Sequence, residues 1–139
     1  TLTMNFKESA KRFRAYDTKN EKFAFVGFHI LGEVTLLGAL DIYKHENSLS
    51  LDETLELKIT EFTGAKDSNC LDIYEGDILS SPQSHSKSKH LVQKVELDWV
   101  VVVGGLIVGT LSELLSMCKR ANYQIHVVGN IYENANLLN

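Results

Sequence analysis

Asp72-Ile73-Tyr74-Glu75-Gly76-Asp77-Ile78-Leu79 is the stretch whose reading decides the fold. Ile73-Tyr74 leads into Glu75-Gly76-Asp77, a tight turn in which glycine takes a positive φ without steric cost, and Ile78-Leu79 opens a new strand. A reversal this short joins strand to strand, so the chain around it is expected to be antiparallel β.

Downstream, residues 80–90, SSPQSHSKSKH, are polar, serine-rich and hold the single proline, which predicts a solvated loop. From His90 to Val103 the apolar-polar alternation is imperfect, but β-branched residues dominate. Gly104-Gly105 then joins Val100–Val103 to Leu106–Val108 as a two-residue hairpin turn. Thr110 opens a helical stretch, TLSELLSMCKR, with Glu113 placed for a capping box and Lys119-Arg120 at the favourable C-terminal end. Leu111, Leu114, Leu115 and Cys118 share one helical face, so Cys118 reads as a buried thiol. A last strand over Tyr123–Tyr132 sets Ile125, Val127 and Gly129 against Gln124, His126 and Val128, and the tail to Leu138 caps the fold.

Upstream, residues 13–28 flank the turn cluster Asp17-Thr18-Lys19-Asn20-Glu21 and predict a hairpin, with Phe23 and Phe25 on one face. Residues 29–58 have neither clean helical nor clean strand spacing and are assigned to strands. Within them Leu55, Leu57 and Ile59 form a period-two face, with Glu56 and Lys58 toward water. Thr60–Asn69 is expected to end that strand and enter a turn. The strings Asp41-Ile42-Tyr43-Lys44, Asp72-Ile73-Tyr74-Glu75 and Asn130-Ile131-Tyr132-Glu133 look alike, but their spacings differ and they make no repeat.

The 139 residues suffice for one core, and 44% hydrophobic with 23% charged residues is an ordinary globular composition. The reading is a single domain over 1–139, with an N-terminal hairpin region at 11–62 and a barrel-like region at 73–134. Two cysteines are too few for a disulfide framework, and Thr1–Lys7 lacks the apolar run of a signal peptide, so a cytoplasmic setting is expected. The most apolar run, Trp99–Val108, is too short to span a bilayer, and no membrane association is expected.

Lys+Arg 14 against Asp+Glu 18 leaves a net charge of -4, which repels a phosphate backbone. Nucleic-acid binding is disfavoured on that ground and would need a local basic patch. Lys11, Arg12 and Arg14, together with Lys87 and Lys89 in a loop that also leads to Lys94, are the candidate contacts if the two clusters converge. Tyr74, Glu75 and Asp77, with Glu133 and Asn134, could be taken for an acid-base or metal cluster, but Asp and Glu in a β-turn bond backbone N–H groups. His29, His45, His85, His90 and His126 are scattered, and neither they nor Cys70 show a zinc spacing. There is no nucleophile elbow and no phosphate-cradling glycine loop. No catalytic residue, metal or cofactor is expected.

Three segments resemble the YopX family of small phage and prophage proteins. They are Lys11-Arg12-Phe13-Arg14-Ala15-Tyr16-Asp17; Phe62-Thr63-Gly64-Ala65-Lys66-Asp67-Ser68-Asn69 followed by Asp72 to Ile78; and Val128-Gly129-Asn130-Ile131-Tyr132-Glu133-Asn134 with Leu137-Leu138 behind. Tyr16 stands where the family usually has Trp, Cys70 where it has a turn glycine, and Ala135 where it has Pro. The resemblance implies a bacterial or phage origin and a mainly β structure, and it brings no activity with it. The pattern from Glu75 to Tyr132 is that of a partly open, SH3-like barrel with one short helix. The motif residues Phe13, Arg14, Asp17, Thr63, Gly64, Asp67, Tyr74, Glu75, Gly76, Asp77, Gly129, Asn130, Tyr132, Glu133 and Asn134 read as structural. The functional expectation is a non-enzymatic module that binds a phage or host protein, with a nucleic-acid-binding barrel as the alternative and edge pairing between copies left open.

Overall fold

The computed structural model describes residues 11–30, 40, 42–50, 52–53 and 56–139, and of residues 11 and 25–30 the backbone only. The chain divides into two compact units, with the boundary between Phe62 and Thr63.

In the first unit β1 (Lys11–Asp17) pairs antiparallel with β2 (Lys22–Ile30) and, on its other side, with the start of β3 (Lys58–Lys66). The predicted turn joins β1 to β2. Its geometry comes from Asp17, whose carboxylate accepts the backbone N–H of Lys19 at 3.0 Å and of Asn20 at 3.2 Å. Tyr16 meets Phe23 edge to face at 5.0 Å. Tyr43, Leu49 and Leu57 form a small buried cluster with Ala24 and Leu40 against it.

The second unit holds β4 (Asp72–Tyr74) beside the second half of β3, and a five-stranded antiparallel sheet. The sheet comprises β5 (Asp77–Ser80), β6 (His90–Val95), β7 (Asp98–Val103), β8 (Leu106–Thr110) and β9 (His126–Asn130), in the spatial order β8-β7-β6-β5-β9. It curls into a half-barrel. Helix α1 (Leu111–Ala121) follows β8 directly. Ile73, Leu79, Val92, Val101, Leu111, Cys118 and Ile125 form the core, so every one of these strands except the edge strand β8 sends a residue into it or packs against it. Burying a side chain of this size stabilises by about 1.5–3 kcal/mol.

The local expectations in this unit hold for physical reasons visible in the structure. Gly76 sits at φ 91°, and Gly104 and Gly105 at 59° and 82°, as the two tight turns demand. The capping box is complete: Glu113 N–H donates to Thr110 Oγ1 at 3.1 Å, and Thr110 N–H donates to Glu113 Oε1 at 2.9 Å. Asn122 ends α1 in the left-handed conformation. The mainly antiparallel β class, with a half-barrel and, among the described residues, one helix of seven residues or more, is the observed architecture.

Four readings are corrected. Residues 42–46 are helical where strand is expected, and residues 31–39 of that stretch lie outside the described residues. Leu57 is buried, but it precedes β3; within the strand Thr60 is buried and Ile59 is 37% exposed, the reverse of the expected face. The face is set by pairing with β1, which puts Thr60 opposite buried Arg14. β3 also continues to Lys66, since Gly64 absorbs a positive φ of 89° inside the strand. The run from His90 to Val103 is two strands, because Glu96-Leu97 turns the chain with Glu96 at φ 57°.

Candidate functional site

In the second unit the residues of the two later motifs converge, and their chemistry is that of turns. Thr63 donates its hydroxyl to Ile73 O at 2.7 Å, tying β3 to β4. Asp67 is buried and its carboxylate accepts three backbone N–H groups: Asn69 at 2.8 Å, Leu71 at 2.9 Å and Val127 at 2.9 Å. Asp77 is buried and accepts Tyr74 N–H at 2.8 Å, closing the turn in which Glu75 is half-buried. Gly76 donates to Val92 O and accepts from Ile131 N–H, both at 2.8 Å, which joins the central motif to the C-terminal one.

There Asn130 accepts Tyr132 N–H at 3.0 Å and Glu133 N–H at 2.9 Å, and donates its amide to Glu133 Oε1 at 2.9 Å. Asn134 accepts Asn130 N–H at 3.2 Å. A Cβ on Gly129 would lie 2.7–2.8 Å from the Asn134 side chain, so only glycine admits this asparagine. Thr63, Asp67, Asp77, Asn130 and Asn134 thus use their side chains on backbone hydrogen bonds.

What the surface presents is apolar. At the β6–β7 turn Leu97 is 90% exposed, held between Glu96 and Asp98, which are also exposed. It borders a groove of about 440 Å³ floored by Ala65, Trp99, Leu111 and Leu115, with Asp98 on the rim. On β8, Leu106, Ile107 and Val108 are all more than half exposed. The sequence reading missed this surface, because Val95 to Val108 looks like core by hydrophobicity; the one available signal was Leu97 flanked by two acids.

Residues 12–139, nearly the whole chain, match the family described as YopX protein. The chain belongs to the YopX family. Of solved structures, a crystal structure of protein EF1440 from Enterococcus faecalis matches over 93% of this chain and 98% of its own, with 21% sequence identity and a TM-score of 0.57. At that identity the likeness carries the fold alone. No curated protein matches.

In this YopX chain the basic candidates fall in different units and are used locally. Arg14 is buried, stacks on Phe23 at 4.8 Å and donates through Nε to Thr60 Oγ1 at 3.4 Å. The Arg12 guanidinium lies 3.8 Å over the Phe62 ring. Lys11 is described by backbone only, in β1 beside Phe13 of the first motif, which pairs with Phe28 and Glu61. Lys87 donates to Pro82 O, and Lys89 to Lys87 O at 3.1 Å, so both ammonium groups fold back on their own loop. The sequence could not show this, since a cation in a strand and a cation in a loop read alike.

Titratable groups with displaced equilibria occur in both units. Burial alone would raise Asp17, but bonds from Asn20 and from Tyr43 Oη, each 2.7 Å, hold it below the usual carboxylate range. Tyr43 is pushed up by burial and by that carboxylate. His90 and Cys118 line one cavity of about 260 Å³ under the serine-rich loop. Burial lowers His90 against the opposing backbone groups of Ser88 and Leu79, and burial raises Cys118, the opposite of what a nucleophilic thiolate requires. Among the described residues no three His, Cys, Asp or Glu side chains gather to hold a metal, and no helix is long and apolar enough to cross a membrane.

Proposed function

We infer that this chain is a non-enzymatic protein-binding module whose partner is a protein of a phage or of its bacterial host. The observation that carries the reading is the β6–β7 turn, where Leu97 projects 90% exposed between Glu96 and Asp98 beside an apolar groove. An exposed leucine at a rigid hairpin tip gains nothing in the free protein, and an apolar centre with a polar rim is how interfaces are built. The two flanking carboxylates fit a partner with a small apolar pocket edged by Lys or Arg. The use of motif polar groups in turns agrees with a binding role.

The test is capture from bacterial lysate with the wild-type chain and with Leu97→Asp. Because Leu97 is exposed, the variant should melt within about 0.5 kcal/mol of wild type. A reproducible partner captured by the wild type should be lost or weakened by roughly tenfold or more in the variant, as for a central hot-spot side chain. Failure of the wild type to recover any reproducible partner would overturn the reading.

A further inference from the structure

The five-stranded sheet ends in two edges, and they are finished differently. At the start of β9 a loop lies alongside: Asp67 takes Val127 N–H, and just before the strand Ser68 N–H donates to Ile125 O at 2.9 Å and Ile125 N–H donates to Ser68 Oγ at 2.8 Å. At β8 no strand follows in the sheet order among the described residues, and Leu106, Ile107 and Val108 are 72%, 58% and 57% exposed. The two-residue turn makes Val103 and Leu106 the pair nearest the turn, so the N–H and C=O of Ile107 point away from β7. Natural edges are blunted by a charge, a proline or a bulge, and β8 carries the last of these at Val108, between the Val102–Ile107 and Val101–Gly109 pairs. Here no charged residue and no proline occur from Trp99 to Ser112.

We propose that β8 is a homodimer interface, pairing antiparallel with β8 of a second copy about a twofold axis centred on Ile107. Three features select a second copy as the occupant. Antiparallel pairing of a strand with itself sets Leu106 across from Val108 of the partner and pairs the two Ile107 residues through both backbone bonds, which leaves the exposed apolar side chains covered by one another. A chain of net charge -4 repels its own copies, and this strand is a stretch on which no charge opposes contact. Finally, because the loop carrying Asp67 and Ser68 occupies the outer side of the sheet where β9 begins, pairing through β8 stops at two sheets of five strands instead of running on into a fibre. The surface is separate from the Leu97 tip, which lies at the opposite end of β7 from the Gly104-Gly105 turn.

Analytical ultracentrifugation of the full chain at micromolar concentration tests this directly. The wild type should sediment at twice the monomer mass. Ile107→Lys should sediment as a monomer while keeping the wild-type circular dichroism spectrum, and Leu106→Lys provides a second variant should the first fail to fold. Leu97→Lys should remain dimeric, which separates this surface from the one above. In hydrogen exchange the Ile107 amide should gain at least tenfold protection on going from dilute to concentrated protein. A wild-type chain that stays monomeric, or a dimer that survives both folded β8 variants, would overturn the proposal.

Discussion

Where β9 begins, the N–H groups of Ile125, just before it, and of Val127, within it, are taken up by Ser68 and by the Asp67 carboxylate, whereas along β8 no described strand follows and three apolar side chains face solvent. One edge is closed by a loop whose residues belong to a YopX motif. The other keeps its apolar side chains exposed. In this chain, then, motif side chains are used inside the molecule, while exposed apolar residues gather on the strand that carries no motif.

Breaking the closed edge should have the largest effect. Asp67→Ala removes the acceptor of three backbone N–H groups, two within the loop and one on β9, and should cost about 3 kcal/mol. Thermal melts followed by circular dichroism would measure it. A loss below about 1 kcal/mol would show that Asp67 does not hold the edge.

Next in size is Gly129→Ala. The new methyl group meets Asn134 at 2.7–2.8 Å and should cost about 1–3 kcal/mol, with part of the loss recovered in the double variant Gly129→Ala, Asn134→Ala. Additive losses would mean that the two residues do not interfere. The smallest effect runs the other way. Cys70 stands at φ 63° in the loop that covers β9, so Cys70→Gly relieves a left-handed conformation and should stabilise by about 0.5 kcal/mol. A destabilised Cys70→Gly would assign the thiol a packing role despite its exposure.

Turns carried by glycine were legible in the sequence because glycine is the residue that takes a positive φ without strain: Gly76 and Gly104-Gly105 do so here. The helix was legible for a comparable reason, since Thr110 and Glu113 satisfy each other locally. The Glu96-Leu97 turn was not legible. It has none of the usual turn residues, and its conformation is imposed by the pairing of β6 with β7 on either side. Likewise the burial of Thr60 in place of Ile59 follows from strand register with β1, a contact between residues 46 apart in the chain. The candidate site divides in the same way: the motif residues could be read as turn formers, but the basic residues could not be placed, because only packing shows Arg14 lying under Phe23.

From the sequence by itself came the antiparallel β class, the helix at Leu111–Ala121 and the family, all of which rest on short-range chemistry written in neighbouring residues. Only the tertiary structure decided which edge of the sheet is closed and which apolar residues stay outside. That choice depends on where Asp67 meets Val127, 60 residues along the chain, and hydrophobicity alone cannot tell a core valine from one on a bare edge.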